Sequence, residues 1–93
     1  MAFIDIKLNK EVEGDIPPSK YTSWLDFWNT NKNIKAQRCK IMGCLEKPDV
    51  AVNVLKVNSN NRNYVIPVCE SCRKKMEEEN LKTWSADLLP TIF

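Results

Sequence analysis

The order of apolar and polar residues predicts a short strand near the N-terminus and then a helix. In residues 3–8 apolar side chains partly alternate with polar ones, which is typical of a strand with one buried face. Pro17 and Pro18 interrupt regular structure. A helical stripe follows, because four apolar side chains recur at spacings of i, i+3, i+4 and i+7: Tyr21, Trp24, Leu25 and Trp28.

Polar residues on either side of this stripe set the expected ends of the helix. Ser19, Thr22 or Ser23 can supply the N-cap, and residues 29–33 are poor helix formers at which the helix should end. We expect the two tryptophans to pack as core over the cysteine-bearing module at residues 34–82, since aromatic side chains bury large areas in small domains. An exposed aromatic surface for a partner is the alternative.

Further along the chain the pattern changes to that of a β-hairpin and a second helix. Residues 50–57 are rich in β-branched side chains, residues 58–63 form a polar turn, and Tyr64–Val68 is the return strand, in which Pro67 indicates a sheet edge or an exit. Residues 73–82 are good helix formers. The apolar tail 88–93 should pack back on the body.

Four cysteines lie in two close pairs around the hairpin. Cys39 and Cys44 form the first pair and Cys69 and Cys72 the second, with 24 residues between the pairs and no histidine in the chain. Four thiolates suit one tetrahedral zinc ion. Two disulfides in any of three pairings, or four free thiols, are the alternatives. The first residues show no basic region followed by a long apolar run, so we expect no secretory signal. No apolar stretch approaches the roughly 20 residues that span a bilayer. We therefore expect a soluble cytoplasmic protein, where reduced thiols favour metal binding.

The length and the charge distribution refine this prediction. At 93 residues the chain is one small domain, for which a structural zinc contributes on the order of 10–16 kcal/mol of apparent binding free energy to folding. The net charge of +2 divides into −2 for residues 1–31, +7 for residues 32–75 and −3 for residues 76–93. Zinc bound by four thiolates carries a formal −2, which weakens the case for strong nonspecific binding to nucleic acid.

The chain has the order of a treble-clef zinc finger: a cysteine knuckle, then a hairpin, then a second cysteine pair that opens a helix. Over residues 24–90 the chain resembles the small HNH-type zinc proteins of bacteria and phages. The most specific part of the likeness is Val65-Ile-Pro-Val-Cys-Glu-Ser-Cys72. The resemblance implies a small α+β treble clef with an N-terminal helix packed on it, a zinc module at 34–82, an extension at 1–33 and a tail at 83–93.

The chain departs from the HNH pattern at the position of the catalytic histidine, where it has Asn53. An amide has no useful basicity near neutral pH and cannot activate a water, and a catalytic metal would lose its imidazole ligand. A hairpin-pairing role for Asn53 is the plainer interpretation. A divergent nuclease that holds a metal with Asn53 and Asp49 is the alternative enzyme.

These features predict a non-catalytic HNH-like zinc module and not an enzyme. We expect it to act by binding a partner, as a small phage or bacterial regulator or inhibitor would. A protein partner is slightly favoured over nucleic acid, and no membrane is involved. A zinc-stabilised subunit of a larger complex is a further alternative. One structural Zn²⁺ should be held by Cys39, Cys44, Cys69 and Cys72. The candidate partner-binding residues are mostly basic: Arg38, Lys40, Asn53, Lys56, Arg62, Arg73, Lys74 and Lys75.

Overall fold

A five-stranded antiparallel sheet carries the fold. The computed structural model describes residues 3–12, 16–57 and 62–91, and the order of strands across the sheet is β4-β1-β2-β3-β5. Short 3-10 segments cover Lys10–Val12 and Ser85–Asp87. The main elements in chain order are β1 (Phe3–Leu8), α1 (Trp24–Lys32), β2 (Val50–Lys56), β3 (Tyr64–Val68), α2 (Glu70–Lys75), β4 (Leu81–Trp84) and β5 (Leu89–Pro90).

The predicted hairpin is confirmed and forms the middle of the chain's sheet. Strands β2 and β3 pair in antiparallel register, with Val50 opposite Val68 and Asn53 opposite Val65. The first four residues of the predicted turn, 58–61, lie outside the described residues, as do residues 92–93 of the tail. Pro67 lies at the end of β3, beyond the two residues that pair with β5, and its carbonyl accepts a hydrogen bond from the Lys40 amide.

The N-terminal strand is confirmed, and it has a more central place than an extension would have. Strand β1 lies between β2 and β4, with Ile6 opposite both Lys56 and Leu81. Its alternation puts Ile6 fully inside the core, and Ile4 and Leu8 pack against the same cluster. The sheet therefore combines strands from the N-terminal extension, the cysteine-bearing module and the tail.

Helix α1 is confirmed close to its predicted bounds. Ser23 is the N-cap, and its Oγ accepts a hydrogen bond of 3.0 Å from the Asp26 amide. Asn33 ends the helix in the left-handed conformation, with φ of 59°, which asparagine tolerates better than most residues. The helix packs on β2 and β3.

The two tryptophans of α1 differ in burial. Trp28 is fully buried and packs with Ala36 and Val65, whereas Trp24 is half-buried at the edge of this cluster. Trp28 Nε1 donates a 2.8 Å hydrogen bond to the Asp87 carbonyl. Because Val65 points to one sheet face and the cysteines cluster with Ile66 and Val68 on the other, α1 covers the side of the hairpin that faces away from the cysteines.

The predicted helix at the second cysteine pair is present, but its extension to residue 82 is wrong. Helix α2 begins earlier, at Glu70, and ends at Lys75, and after a turn the chain enters β4 at Leu81. Pairing with β1 overrides local helix propensity here, and the strand is held further because the Met42 amide donates to the Lys82 carbonyl. Glutamates at 77–79 would also face the negative end of a longer helix.

No helix in the described parts of the chain is both long enough and apolar enough to cross a membrane.

Candidate metal centre

The fold brings the sulfur atoms of all four cysteines together. Their ligand atoms lie within 4.8 Å of one another, and the Sγ atoms of Cys44 and Cys69 are 3.7 Å apart. All four are free thiols. Three of them are buried, and Cys44 is partly exposed. The four residues that the sequence singled out as ligands are therefore placed where they could hold a metal ion together.

The first pair is positioned by a tight turn that we call the knuckle, residues 39–46. The Cys39 amide donates to the Glu46 carbonyl at 2.7 Å, and the Cys44 amide donates to the Ile41 carbonyl at 3.0 Å. Gly43 has a φ of 82°, in a region that residues with a Cβ rarely adopt. A Cβ at Gly43 would meet no atom within 4 Å, so the turn needs glycine for its backbone conformation and not for space.

The second pair is positioned by the start of α2. Cys69 is the N-cap residue and Cys72 lies in the first turn. The Cys69 side chain makes no capping hydrogen bond, and instead Asp49 Oδ2 accepts a 2.8 Å hydrogen bond from the Glu70 amide. The Asp49 amide donates to the Val68 carbonyl. Asp49 thus ties the start of β2 to the turn that presents two of the four thiols.

The geometry of the sulfur atoms fits a tetrahedral metal ion. Four thiolates at a metal–sulfur distance of about 2.3 Å would have sulfur–sulfur separations of about 3.8 Å, close to the 3.7 Å between Cys44 and Cys69. Thiolates are soft ligands, and a tetrahedral set of four is typical of zinc or iron–sulfur chemistry. With all four thiolates bound, such a site has no position left for water, which is the arrangement of a structural metal.

Burial sets the protonation of the thiols before any metal binds. It raises the pKa of Cys39 to about 11 and also raises the pKa of Cys72 above its ordinary value. Burial acts in the same direction on Cys69, but hydrogen bonds from the Cys72 amide and from neighbouring thiols outweigh it and hold the Cys69 pKa below its ordinary value. Cys39 and Cys72 therefore keep their protons at neutral pH, and a metal must displace them.

Asn53 lies at the position that the resemblance gives to the HNH histidine. It was also a candidate partner-binding residue, but its side chain is not at the surface. It is 7% exposed, and its Oδ1 accepts a 2.7 Å hydrogen bond from Asn63 Nδ2. Asn63 Oδ1 in turn accepts a bond from Asn9 Nδ2 at 2.9 Å, and Asn63 Nδ2 also donates to Thr91 Oγ1 at 3.0 Å. We call Asn9, Asn53, Asn63 and Thr91 the asparagine network.

The asparagine network was not predicted as a unit, although Asn53 was singled out. Its members come from positions 9, 53, 63 and 91, so nothing in their sequence spacing could indicate that they meet. The network is fully satisfied, since no buried side-chain nitrogen or oxygen of the described residues lacks a hydrogen-bond partner. The network thus closes the end of the hairpin away from the cysteines.

The predicted basic partner-binding residues are divided among three places. Arg38 is exposed and Lys40 half-buried at the knuckle. Lys56, whose Nζ lies 5.0 Å from the Tyr64 ring centre, and exposed Arg62 lie at the far end of the hairpin, about 20 Å along the strand at about 3.3 Å per residue.

The remaining three basic residues lie on α2. Arg73 makes ion pairs with Glu70 at 2.5 Å and with Glu77 at 3.6 Å, so its charge is largely offset. Lys74 and Lys75 are exposed. The basic residues therefore do not form one continuous stripe along a single element.

No protein-family model, curated protein or solved structure matches this chain.

Proposed function

We propose that this protein is a zinc-stabilised, non-catalytic binding module with the treble-clef arrangement of HNH-like proteins. The observation that carries the proposal is the four-sulfur cluster, with its atoms within 4.8 Å of one another. Cys39, Cys44, Cys69 and Cys72 would hold the ion, and zinc would supply a redox-inert tetrahedral cross-link between the knuckle and α2. The order of knuckle, β2–β3 hairpin and α2 supports the treble-clef interpretation, although α2 is short.

The surroundings of residue 53 support a role without catalysis. A nuclease of the HNH type needs a basic group at this position that can reach a water. Asn53 is instead buried with its carboxamide oxygen bonded to Asn63. Its carboxamide oxygen is therefore already engaged within the asparagine network.

The alternative of a divergent nuclease needs Asp49 and Asn53 to share a metal. Four residues of strand separate them, or about 13 Å at about 3.3 Å per residue, and Asp49 Oδ2 is bonded to the Glu70 amide. The two side chains have separate partners at separate places. The geometry therefore favours the binding module over the nuclease.

Metal content and nicking activity test the two halves of this proposal. Native mass spectrometry of the protein purified under reducing conditions should show one zinc per chain, as a mass raised by one zinc atom less the two protons that a divalent ion replaces, and elemental analysis should identify the metal. A metal-free folded chain, or one lighter by two disulfides, would overturn the zinc assignment. Plasmid incubated with the protein and Mg²⁺, Mn²⁺ or Ni²⁺ should stay supercoiled, whereas nicking that disappears in Asn53→Ala would overturn the non-catalytic assignment.

Partner binding needs its own experiment. Zinc-loaded protein immobilised through its N-terminus should capture a defined partner from host lysate, identified by mass spectrometry and reproduced with the purified partner. Size-exclusion chromatography with light scattering separates a lone binding module from a subunit that is always assembled. Failure to retain any purified partner or nucleic acid would contradict the binding function.

A further inference from the structure

A groove of about 300 Å³ lies beside the knuckle, between it and the end of β4. Apolar side chains on its rim come from three parts of the chain: Phe3 in β1, Met42 and Leu45 in the knuckle, and Trp84 in β4. Arg38 also lines it. We call these five residues and the space between them the knuckle groove.

Exposed apolar side chains are concentrated at the knuckle groove. Of six large apolar side chains that are exposed in the described residues, four line it, and the other two are Ile16 and Ile34. The exposed fractions of the four are 76% for Leu45, 50% for Met42, 38% for Trp84 and 36% for Phe3. Contiguous exposed apolar surface of this kind marks interaction sites, whereas single exposed apolar residues are ordinary.

Both sides of the groove are tied to the sheet by direct contacts. The Phe3 and Trp84 rings stack with centroids 3.6 Å apart, and their strands pair directly. On the other side, the Met42 amide is bonded to the Lys82 carbonyl, and the knuckle carries two of the four thiols. A partner would therefore meet a preformed surface and would not have to order it, which favours binding.

The charges around the groove leave one cation without a partner. Lys40 lies 3.9 Å from Asp87 Oδ1, and Lys82 lies 2.8 Å from Asp5 Oδ1. Arg38 is exposed, and no residue in the described ranges forms an ion pair with it. A single guanidinium beside an apolar groove complements one carboxylate beside an apolar side chain, because guanidinium and carboxylate groups form paired hydrogen bonds.

The same charges argue against a nucleic acid in this groove. A phosphate backbone is bound by several cations in a row, whereas here Lys40 and Lys82 are already paired with carboxylates. Four metal-bound thiolates would add a formal charge of −2 close to the groove, which repels a polyanion more than it repels a single carboxylate.

Given the binding function proposed above, on which this inference rests, we propose that the knuckle groove binds a short segment of a partner protein that carries a large apolar side chain next to an aspartate or glutamate. The apolar side chain enters between Leu45 and the Phe3–Trp84 pair, and the carboxylate meets Arg38. Aromatic and arginine side chains dominate the energetics of most protein interfaces, and the groove presents both.

Selection from a random peptide library displayed on phage, against the zinc-loaded full chain, tests this directly. The enriched peptides should share a large apolar residue with an acidic residue within two positions of it. Synthetic enriched peptides should bind at least about tenfold more weakly to Leu45→Ser and to Arg38→Glu. Ile34→Ser is the matched control, since Ile34 is also exposed but lies outside the groove, and it should bind as the wild type does.

A charge exchange sharpens the test. A peptide in which lysine replaces the acidic residue should lose binding to the wild type and regain it with Arg38→Glu. Enriched peptides without an acidic residue, or equal binding by wild type and both groove variants, would overturn the proposal. Binding of a single-stranded oligothymidylate that is lost in Trp84→Ala would also overturn the proposal, because the occupant would then be nucleic acid. A dimer seen by light scattering that Leu45→Ser dissociates would overturn it too, because the occupant would then be a second copy of the chain.

Failure of this inference can be told apart from failure of the proposed function. Suppose that the library yields no binder and that a purified lysate partner binds Leu45→Ser and wild type equally. That result would overturn the proposed role of the knuckle groove and leave the binding function of the module intact. Plasmid nicking or a metal-free folded chain would instead overturn the proposed function. Each groove variant should first be shown to keep one zinc per chain.

Discussion

The two ends of the β2–β3 hairpin are held together in different ways. At the end formed by Val50 and Val68, four thiols converge within 4.8 Å. Towards the opposite end, close to the paired residues Val54 and Tyr64, the hairpin is held by side-chain hydrogen bonds of the asparagine network. Under the proposed function a metal ion would complete the first end, whereas the second end is held by the chain's own groups.

The difference teaches where the stability of a small domain resides. A buried hydrogen bond contributes about 1 kcal/mol net, so the three side-chain bonds of the network add a few kcal/mol. A structural zinc contributes on the order of 10–16 kcal/mol of apparent binding free energy. The cysteine end should therefore decide whether the chain folds, and the asparagine end should adjust how stable the folded chain is.

Substitution of one ligand should have the largest effect. Cys69→Ser removes a buried thiol from the cluster, and since the metal contributes most of the folding free energy, the domain should largely unfold. Circular dichroism and a thermal scan, with zinc measured in the same sample, check this. Ser71→Ala, at an exposed position in the same helix, is the matched control. An unchanged thermal transition in Cys69→Ser would contradict the proposed role of the metal.

Acidification should act on the cysteine end alone. The pKa of Cys39 is about 11 without metal and that of Cys72 is raised too, so binding displaces protons and affinity must fall as pH falls. The loss is about tenfold per pH unit for each thiol that gives up a proton. Competition with a chromophoric chelator across a pH series measures it.

The asparagine end provides the control for the pH series. Its amide and hydroxyl groups do not titrate in this range, so Asn63→Ala should show the same pH slope of metal affinity as the wild type. A flat affinity across the series would mean that the thiols are not the ligands.

Removal of the central asparagine should have an intermediate effect. Asn63→Ala removes the side-chain partner of the Asn53 carboxamide oxygen and of Asn9 Nδ2. This should cost about 1–3 kcal/mol of unfolding free energy. Urea unfolding of the zinc-loaded protein measures the cost. Asn80→Ala, at an exposed position, should be neutral. Loss of zinc from Asn63→Ala would show that the two ends are coupled and not independent.

The smallest effect should come from the carboxylate that links β2 to α2. Asp49→Ala removes the acceptor for the Glu70 amide, and a lost N-terminal cap costs about 1 kcal/mol. Because the cap positions Cys69 and Cys72, zinc affinity should fall by about fivefold to tenfold. Asp49→Asn keeps an acceptor oxygen and should restore most of the affinity. Equal loss in both variants would show that the charge matters and not the cap.

Local patterns in the sequence were sufficient for several elements. The i, i+3, i+4, i+7 stripe predicted α1, the run of β-branched residues predicted the β2–β3 hairpin, and the alternation in residues 3–8 predicted β1. Each of these signals lies within a short stretch of chain and reflects one buried face. The pairing of the cysteines in sequence likewise indicated a shared site, because each pair needs only one turn of backbone to converge.

Residues 73–82 show why other features could not be predicted. Their composition favours a helix, yet Leu81 and Lys82 belong to β4 because β1 offers a strand edge on which they pair. That edge comes from residues almost eighty positions earlier. Non-local pairing can override propensity, and no window of sequence contains the information that it does so.

The amino-acid order alone sets which chemically capable groups are present and which short elements carry them: four thiols, one helix, one hairpin and no histidine. Folding in three dimensions sets which distant groups meet. It placed Asn53 among Asn9, Asn63 and Thr91, and it brought Phe3 beside Trp84 and the knuckle. The physical reason is that hydrogen bonds and apolar contacts act over a few ångströms of space, whereas their distance along the chain is set by the topology of the sheet.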